Sequence, residues 1–107
     1  MDLFTYYRST SSYRVRIALA LKGLEVNAIP VNLIRDGGEH HKPEYLAINP
    51  QGRVPVLRLD SGHVVIQSMA IIEYLEEHSP EPALLPTDLL ARARHREVAA
   101  LIASPVI

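Results

Sequence analysis

The chain has 107 residues, 48% of them hydrophobic, which is enough for one compact core, yet no apolar run reaches membrane-spanning length. Its 11 basic and 12 acidic side chains leave a formal net charge of -1, without the positive excess that binding to nucleic acid or an anionic membrane surface draws on. Cysteine is absent, which excludes disulfides, cysteine redox chemistry and thiolate metal sites, so any thiol chemistry must use a thiol carried in by a ligand.

Met1-Asp2-Leu3-Phe4-Thr5 has no basic leader region, and a cytoplasmic protein without signal peptide or anchor is expected. Leu3 to Tyr6 reads as a short strand, followed by the hydroxyl run Ser9-Thr10-Ser11-Ser12. Ser and Thr favour the N-cap of a helix, and the free amides beside them, with the positive end of the helix dipole, stabilise an anion. The same run also describes an ordinary capped helix. That helix ends at Lys22-Gly23, a basic residue followed by a C-terminal glycine. Val26 to Val31 reads as a second strand, with Pro30 marking an edge or an end. The helix is then a right-handed crossover between parallel strands, which brings its N-terminus to the strand end where ligands of open α/β sheets collect.

Asp36 to Pro43 is polar and rich in turn residues, and with the apolar Tyr45, Leu46 and Ile48 it predicts an irregular loop containing a short helix. Two adjacent imidazoles, His40 and His41, lack the further ligands of a metal site at helical spacing, and no metal is expected. Asn49-Pro50-Gln51-Gly52 is a turn. Val54 to Leu59 then pairs through Asp60-Ser61-Gly62 with His63 to Ile66 as a hairpin. At its start, a cis Val54-Pro55 bond turns the Val54 backbone toward a peptide-like ligand by strand addition, whereas a trans bond makes it a plain edge proline. Gln67-Ser68 begins a helix running to His78, offering a second carboxylate-binding amide cluster or a simple cap. Met69, Ile72 and Leu75 are spaced for its buried face, leaving Glu73, Glu76 and Glu77 for solvent.

The element order is β-α-β-α-β-β-α. Ser79 to Pro86 carries three prolines, after which Thr87 to Ala103 resumes helical spacing at Val98, Leu101 and Ile102. The expected organisation is an α/β domain over residues 1–79, a proline-rich linker over 80–86, and over 87–107 the first helix of a truncated all-α domain whose apolar face lacks a partner.

Taken together, Arg8-Ser9-Thr10-Ser11-Ser12-Tyr13-Arg14-Val15-Arg16, Asn32-Leu33-Ile34, Asn49-Pro50, Val54-Pro55, Ile66-Gln67-Ser68 and Ile71-Ile72-Glu73-Tyr74-Leu75 resemble the N-terminal domain of zeta-class glutathione transferases, the maleylacetoacetate isomerases. The resemblance spans roughly residues 1–103. It implies a thioredoxin-like fold with a mixed four-stranded sheet, glutathione as cofactor, a small dicarboxylate or electrophilic second substrate, and a homodimer. It further implies that Ser9, Thr10 and Ser11 lie at the glutathione sulfur as catalytic hydroxyls, with Ser12, Tyr13 and Arg14 beside them. Val54 would pair with the cysteinyl backbone, Gln67 and Ser68 would hold the γ-glutamyl carboxylate, and His40 would face the glycyl end. Arg8, at the mouth, would attract a substrate carboxylate. The chain departs from the family in having Ser11 where Cys is common and Tyr13 where Trp is common. The implied activity is isomerisation of maleylacetoacetate to fumarylacetoacetate, with maleylpyruvate isomerisation, general conjugation and a non-catalytic glutathione-binding or protein-interaction module as alternatives.

Overall fold

Leu3 and Phe4 are neighbours in the first strand, so their side chains leave opposite faces of the sheet and seed two separate apolar clusters. In a computed structural model, which describes residues 1–103, this strand is β1 (Asp2–Thr5). It pairs in parallel with β2 (Asn27–Pro30) and antiparallel with β3 (Val56–Arg58), which in turn pairs antiparallel with β4 (Val64–Ile66). The sheet order is β2-β1-β3-β4. Leu3 lies opposite Leu57 and Phe4 opposite Val56, so each face receives one residue from each central strand.

The Leu3 and Leu57 face is covered by two helices, α1 (Thr10–Lys22) through Val15 and Leu19 and α3 (Ser68–His78) through Ile71 and Leu75. The Phe4 and Val56 face takes Val31 and Tyr45, the latter from α2 (Pro43–Leu46). Two short 3-10 turns, Arg35–Gly37 and Glu39–His41, precede α2, in agreement with the irregular segment expected there. Gly23 closes α1 at φ 65°, a conformation glycine adopts without a Cβ penalty, and its amide donates to the Ala20 carbonyl.

The buried residues of α1 are Ser12, Val15, Ala18, Leu19 and Lys22, so a lysine ends the core-facing stripe. It is matched by Glu76, which corrects the solvent-facing role expected for that carboxylate. Lys22 Nζ meets Glu76 Oε1 at 2.7 Å, and the Glu76 carboxylate also accepts from the amides of Leu84 and Leu85. Met69 and Ile72 are only half buried, while Ile71 and Leu75 carry the α3 core contact. The proline-rich segment is thereby tied to the domain rather than left loose. It contains a second cis bond, Glu81-Pro82, with no counterpart in the sequence reading.

A final helix, α4 (Leu89–Ala103), meets α3 through the ion pair of Arg96 with Glu73. Val98, Leu101 and Ile102 are exposed. Residues 104–107, which the expected helical segment 87–107 included, lie outside the described residues. Among the described residues no helix is long and apolar enough to cross a membrane.

Register explains where a site forms. Phe4 pairs with Val56, and Val56 with Ile66, so the end of β1, the start of β3 and the end of β4 stand side by side. The chain leaving or entering at that edge is the loop to Ser9, the Val54-Pro55 pair and the Gln67-Ser68 pair. Segments remote in sequence are thus placed together by strand pairing alone.

Candidate functional site

Ser9 caps α1 from an extended conformation, its Oγ accepting from the Ser12 amide at 3.1 Å. A hydroxyl has one proton and two lone pairs, so capping leaves the Ser9 proton free to donate elsewhere. The first amides of a helix lack intrahelical acceptors; here those of Thr10 and Ser11 take no part in the backbone hydrogen bonds of the described residues. The same holds at α3, where the first intrahelical bond runs from the Ile71 amide to the Gln67 carbonyl. Gln67 precedes α3 with φ 75°, a strained setting for a residue with a side chain, and its Nε2 donates to Gln51 Oε1 at 3.1 Å. Ser68 is the first residue of α3 and not its cap, and its Oγ accepts from Arg14 Nη1 at 3.1 Å.

Between these helix ends the Val54-Pro55 bond is cis, as the ligand-facing reading of the sequence requires. The Val54 amide and carbonyl make no backbone hydrogen bond among the described residues, which leaves a donor and an acceptor for an extended peptide. The preceding turn is held from behind. Tyr45 Oη and Asn49 Nδ2 both donate to the Arg53 carbonyl, and Asn49 Oδ1 accepts from the Gln51 amide. Burial pushes the Tyr45 phenol up to about 12, so it stays a donor at any physiological pH.

The result is a groove in two connected parts. Ser11, Asn49, Pro55, Gln67 and Ser68 line the narrow part, Ser9, Leu33, His40, His41 and Gly52 line the wide one, and Gln51, Arg53 and Val54 belong to both. The wide part encloses about 360 Å³, within the range of small-ligand clefts. Burial, together with the charge of neighbouring His41, holds the His40 imidazole below its usual value, so it is neutral at pH 7. Its Nδ1 is buried without a hydrogen-bond partner among the described residues. A larger concavity, about 520 Å³, lies between α3, Leu84, Leu85 and α4, but its walls are mainly apolar and it contains none of the expected ligand residues. No group of three or more metal-ligating side chains occurs among the described residues.

Six of the expected residues, Ser9, Ser11, His40, Val54, Gln67 and Ser68, therefore share one groove. Ser12 does not: its side chain is fully buried on the core side of α1, because it starts the stripe continued by Val15 and Leu19, and its expected ligand contact is corrected on that ground. Thr10 is exposed at the helix start and lines neither part of the groove. Tyr13 is exposed with the Arg16 guanidinium over its ring, and Arg8 similarly lies over Tyr7. Arg14 reaches the groove only through Ser68. The sequence reading missed Asn49, Gln51 and Arg53, whose roles depend on a turn brought beneath the helix ends; the one local signal was an Asn at the head of a turn, where its side chain bonds the backbone two residues on.

Residues 8–78, more than half of the chain, match the family described as glutathione S-transferase, N-terminal domain. The chain belongs to that family. This glutathione S-transferase N-terminal domain is 72% identical over 102 residues to maleylacetoacetate isomerase of Pseudomonas aeruginosa, a match covering 95% of the chain and 48% of the relative. A crystal structure of maleylacetoacetate isomerase from Methylobacterium extorquens AM1 with bound malonate and glutathione (GSH) superposes with a TM-score of 0.90 at 45% identity, over 96% of this chain and 47% of that one. The holo structure of a zeta-class bacterial maleyl pyruvate isomerase gives a TM-score of 0.88 at 47% identity, over 95% and 47% of the two chains. The chain thus spans about half the length of the relatives it matches. The thioredoxin-like fold of the transferase N-terminal domain is the one expected from the sequence.

Proposed function

We propose that the groove binds glutathione and that the protein serves glutathione-dependent isomerisation of maleylacetoacetate to fumarylacetoacetate. One observation carries the reading: a free backbone edge at Val54 is flanked by two helix N-termini, so an extended tripeptide with an anion at each helix end finds a partner for every part. The donor chemistry fits. The Val54 amide and carbonyl would pair with the cysteinyl residue, and Gln67 with the amides of Ser68 and Met69 would hold the γ-glutamyl carboxylate. Neutral His40 would face the glycyl end.

When bound, glutathione supplies a thiol whose reversible addition to a conjugated cis double bond permits rotation and release as the trans isomer. The Ser9 hydroxyl, free to donate while its oxygen caps α1, stabilises a sulfur anion and lowers the thiol pKa. The Ser11 hydroxyl and the unpaired Thr10 and Ser11 amides add further donors at the same helix end. Arg8, exposed in the loop before α1, would draw in a substrate carboxylate. Residues 1–79 would form the glutathione-binding domain and 80–86 the linker, with α4 opening a helical domain and the working protein a cytoplasmic homodimer. Maleylacetoacetate is preferred to maleylpyruvate because the relative named for the former is 72% identical and the structure named for the latter 47%.

Calorimetric titration with glutathione, run beside a maleylacetoacetate turnover assay, tests both parts. Saturable binding lost in Gln67→Ala is expected, and no binding by the unaltered chain would end the proposal. Binding without turnover would leave a glutathione-binding module.

A further inference from the structure

Arg14 lies in neither wall of the groove, yet it contacts the residue at the groove's narrow end. It sits one turn along α1 from Ser11, and its guanidinium crosses to α3, where Nη1 donates to Ser68 Oγ at 3.1 Å. Ser68 is 7% exposed, and its hydroxyl offers one proton and two lone pairs. A guanidinium has only donors, so toward Arg14 the hydroxyl can act only as acceptor. No other hydrogen bond is made by that hydroxyl among the described residues, and Ser68 lines the narrow part of the groove.

We infer that Arg14 is a positioning residue acting through Ser68: it occupies one lone pair of the hydroxyl, restricts its rotation and polarises its O–H, and so favours donation of the proton to a carboxylate in the narrow part of the groove. This deepens the glutathione reading and rests on it. Without Arg14, the hydroxyl loses that restraint and that polarisation, so ordering its proton falls to the carboxylate alone. The guanidinium also places a positive charge one bond behind the hydroxyl, strengthening its donation to an anion far more than to a neutral amide. Arg14 therefore contributes selectivity for the charged carboxylate without touching it.

A double-mutant cycle tests the relay, using calorimetry with glutathione and with its analogue carrying a carboxamide in place of the γ-glutamyl α-carboxylate. Arg14→Met and Ser68→Ala are each expected to weaken glutathione binding about tenfold, the scale of one charge-assisted hydrogen bond, while the double variant stays within about twofold of Ser68→Ala. Arg14→Met should change binding of the carboxamide analogue by less than about twofold. Should Arg14→Met fail to fold, Arg14→Leu, which also removes every donor while keeping an aliphatic side chain, replaces it in the same cycle with the same expectation. Losses that multiply in the double variant, or equal weakening of both ligands, would overturn the relay. Failure of the unaltered chain to bind glutathione would instead overturn the reading of the groove on which the relay rests.

Discussion

Lys22 Nζ and Glu76 Oε1 lie 2.7 Å apart with the two side chains 0% and 7% exposed, so an ion pair joins α1 to α3 inside the domain. Lys22 also donates to the carbonyls of Ser79 and Pro82, and Glu76 accepts from the Leu84 and Leu85 amides. Both charges are therefore fully solvated by protein groups, and the pair fastens the segment leading to α4.

Removing one partner leaves the other charge buried and unpaired, at a typical cost of about 3–5 kcal/mol. Lys22→Met and Glu76→Leu are each expected to destabilise the chain by that amount in urea unfolding. The double variant should be more stable than either single one, because no lone charge then remains. Losses that simply add would show that the pair contributes little as a pair.

Acid should loosen the same clamp. Burial alone would raise the Glu76 carboxyl, but the Lys22 hydrogen bond and the Leu84 and Leu85 amides outweigh it and hold it below its ordinary value of 4.5. Its folded-state pKa is therefore depressed. The stabilisation is present above the unfolded-state value of 4.5 and is lost as pH falls through the lower folded-state value. Urea midpoints measured across that range should fall more steeply for the unaltered chain than for the Lys22→Met and Glu76→Leu double variant. Parallel curves would count against this assignment.

Ser9 has two separable tasks, capping α1 and donating to a sulfur anion. Ser9→Ala should lose both, with about 1 kcal/mol of stability going with the cap. Ser9→Asp restores a capping acceptor but sets a carboxylate where the sulfur anion belongs. Its thermal stability should return to the starting value while the pKa of bound glutathione thiol, read by thiolate absorbance, rises. A thiol pKa that is the same in all three proteins would remove Ser9 from the sulfur site.

Gln67 carries the strain expected of a working position. Its φ of 75° costs a side-chain-bearing residue about 1–3 kcal/mol, a cost glycine does not incur. Gln67→Gly should therefore hold or raise the melting temperature while glutathione affinity drops, because the amide side chain is gone. A variant that loses stability as well would mean that the bond to Gln51 outweighs the backbone strain.

Much of the site was visible in the chain before any fold was known, for reasons that are local. A hydroxyl before an apolar helix is a cap wherever the helix sits, which is why Ser9 stood out, and helical periodicity placed α1 and α3 closely. The resemblance carried by Val54-Pro55 and Gln67-Ser68 pointed to a peptide groove. Local pattern misplaced residues whose partners lie far away in sequence. Glu76 looked like its neighbours on a charged helix face, and only the approach of Lys22, 54 positions earlier, buried it. Ser12 looked equivalent to Ser9 and Ser11, since a run of like residues does not reveal which one turns inward when the helix docks on the sheet.

The sequence by itself determined the elements, the caps and the identity of the groups able to bind an anion, because these follow from side-chain chemistry and from neighbours within a turn or two. Tertiary structure decided which of those groups meet. The pairing of Phe4 with Val56 and of Val56 with Ile66 sets three distant loops side by side, and the docking of α1 on α3 brings Arg14 to Ser68 and Lys22 to Glu76. Backbone register and helix packing are long-range consequences of burying one apolar core, and no short window of residues contains them.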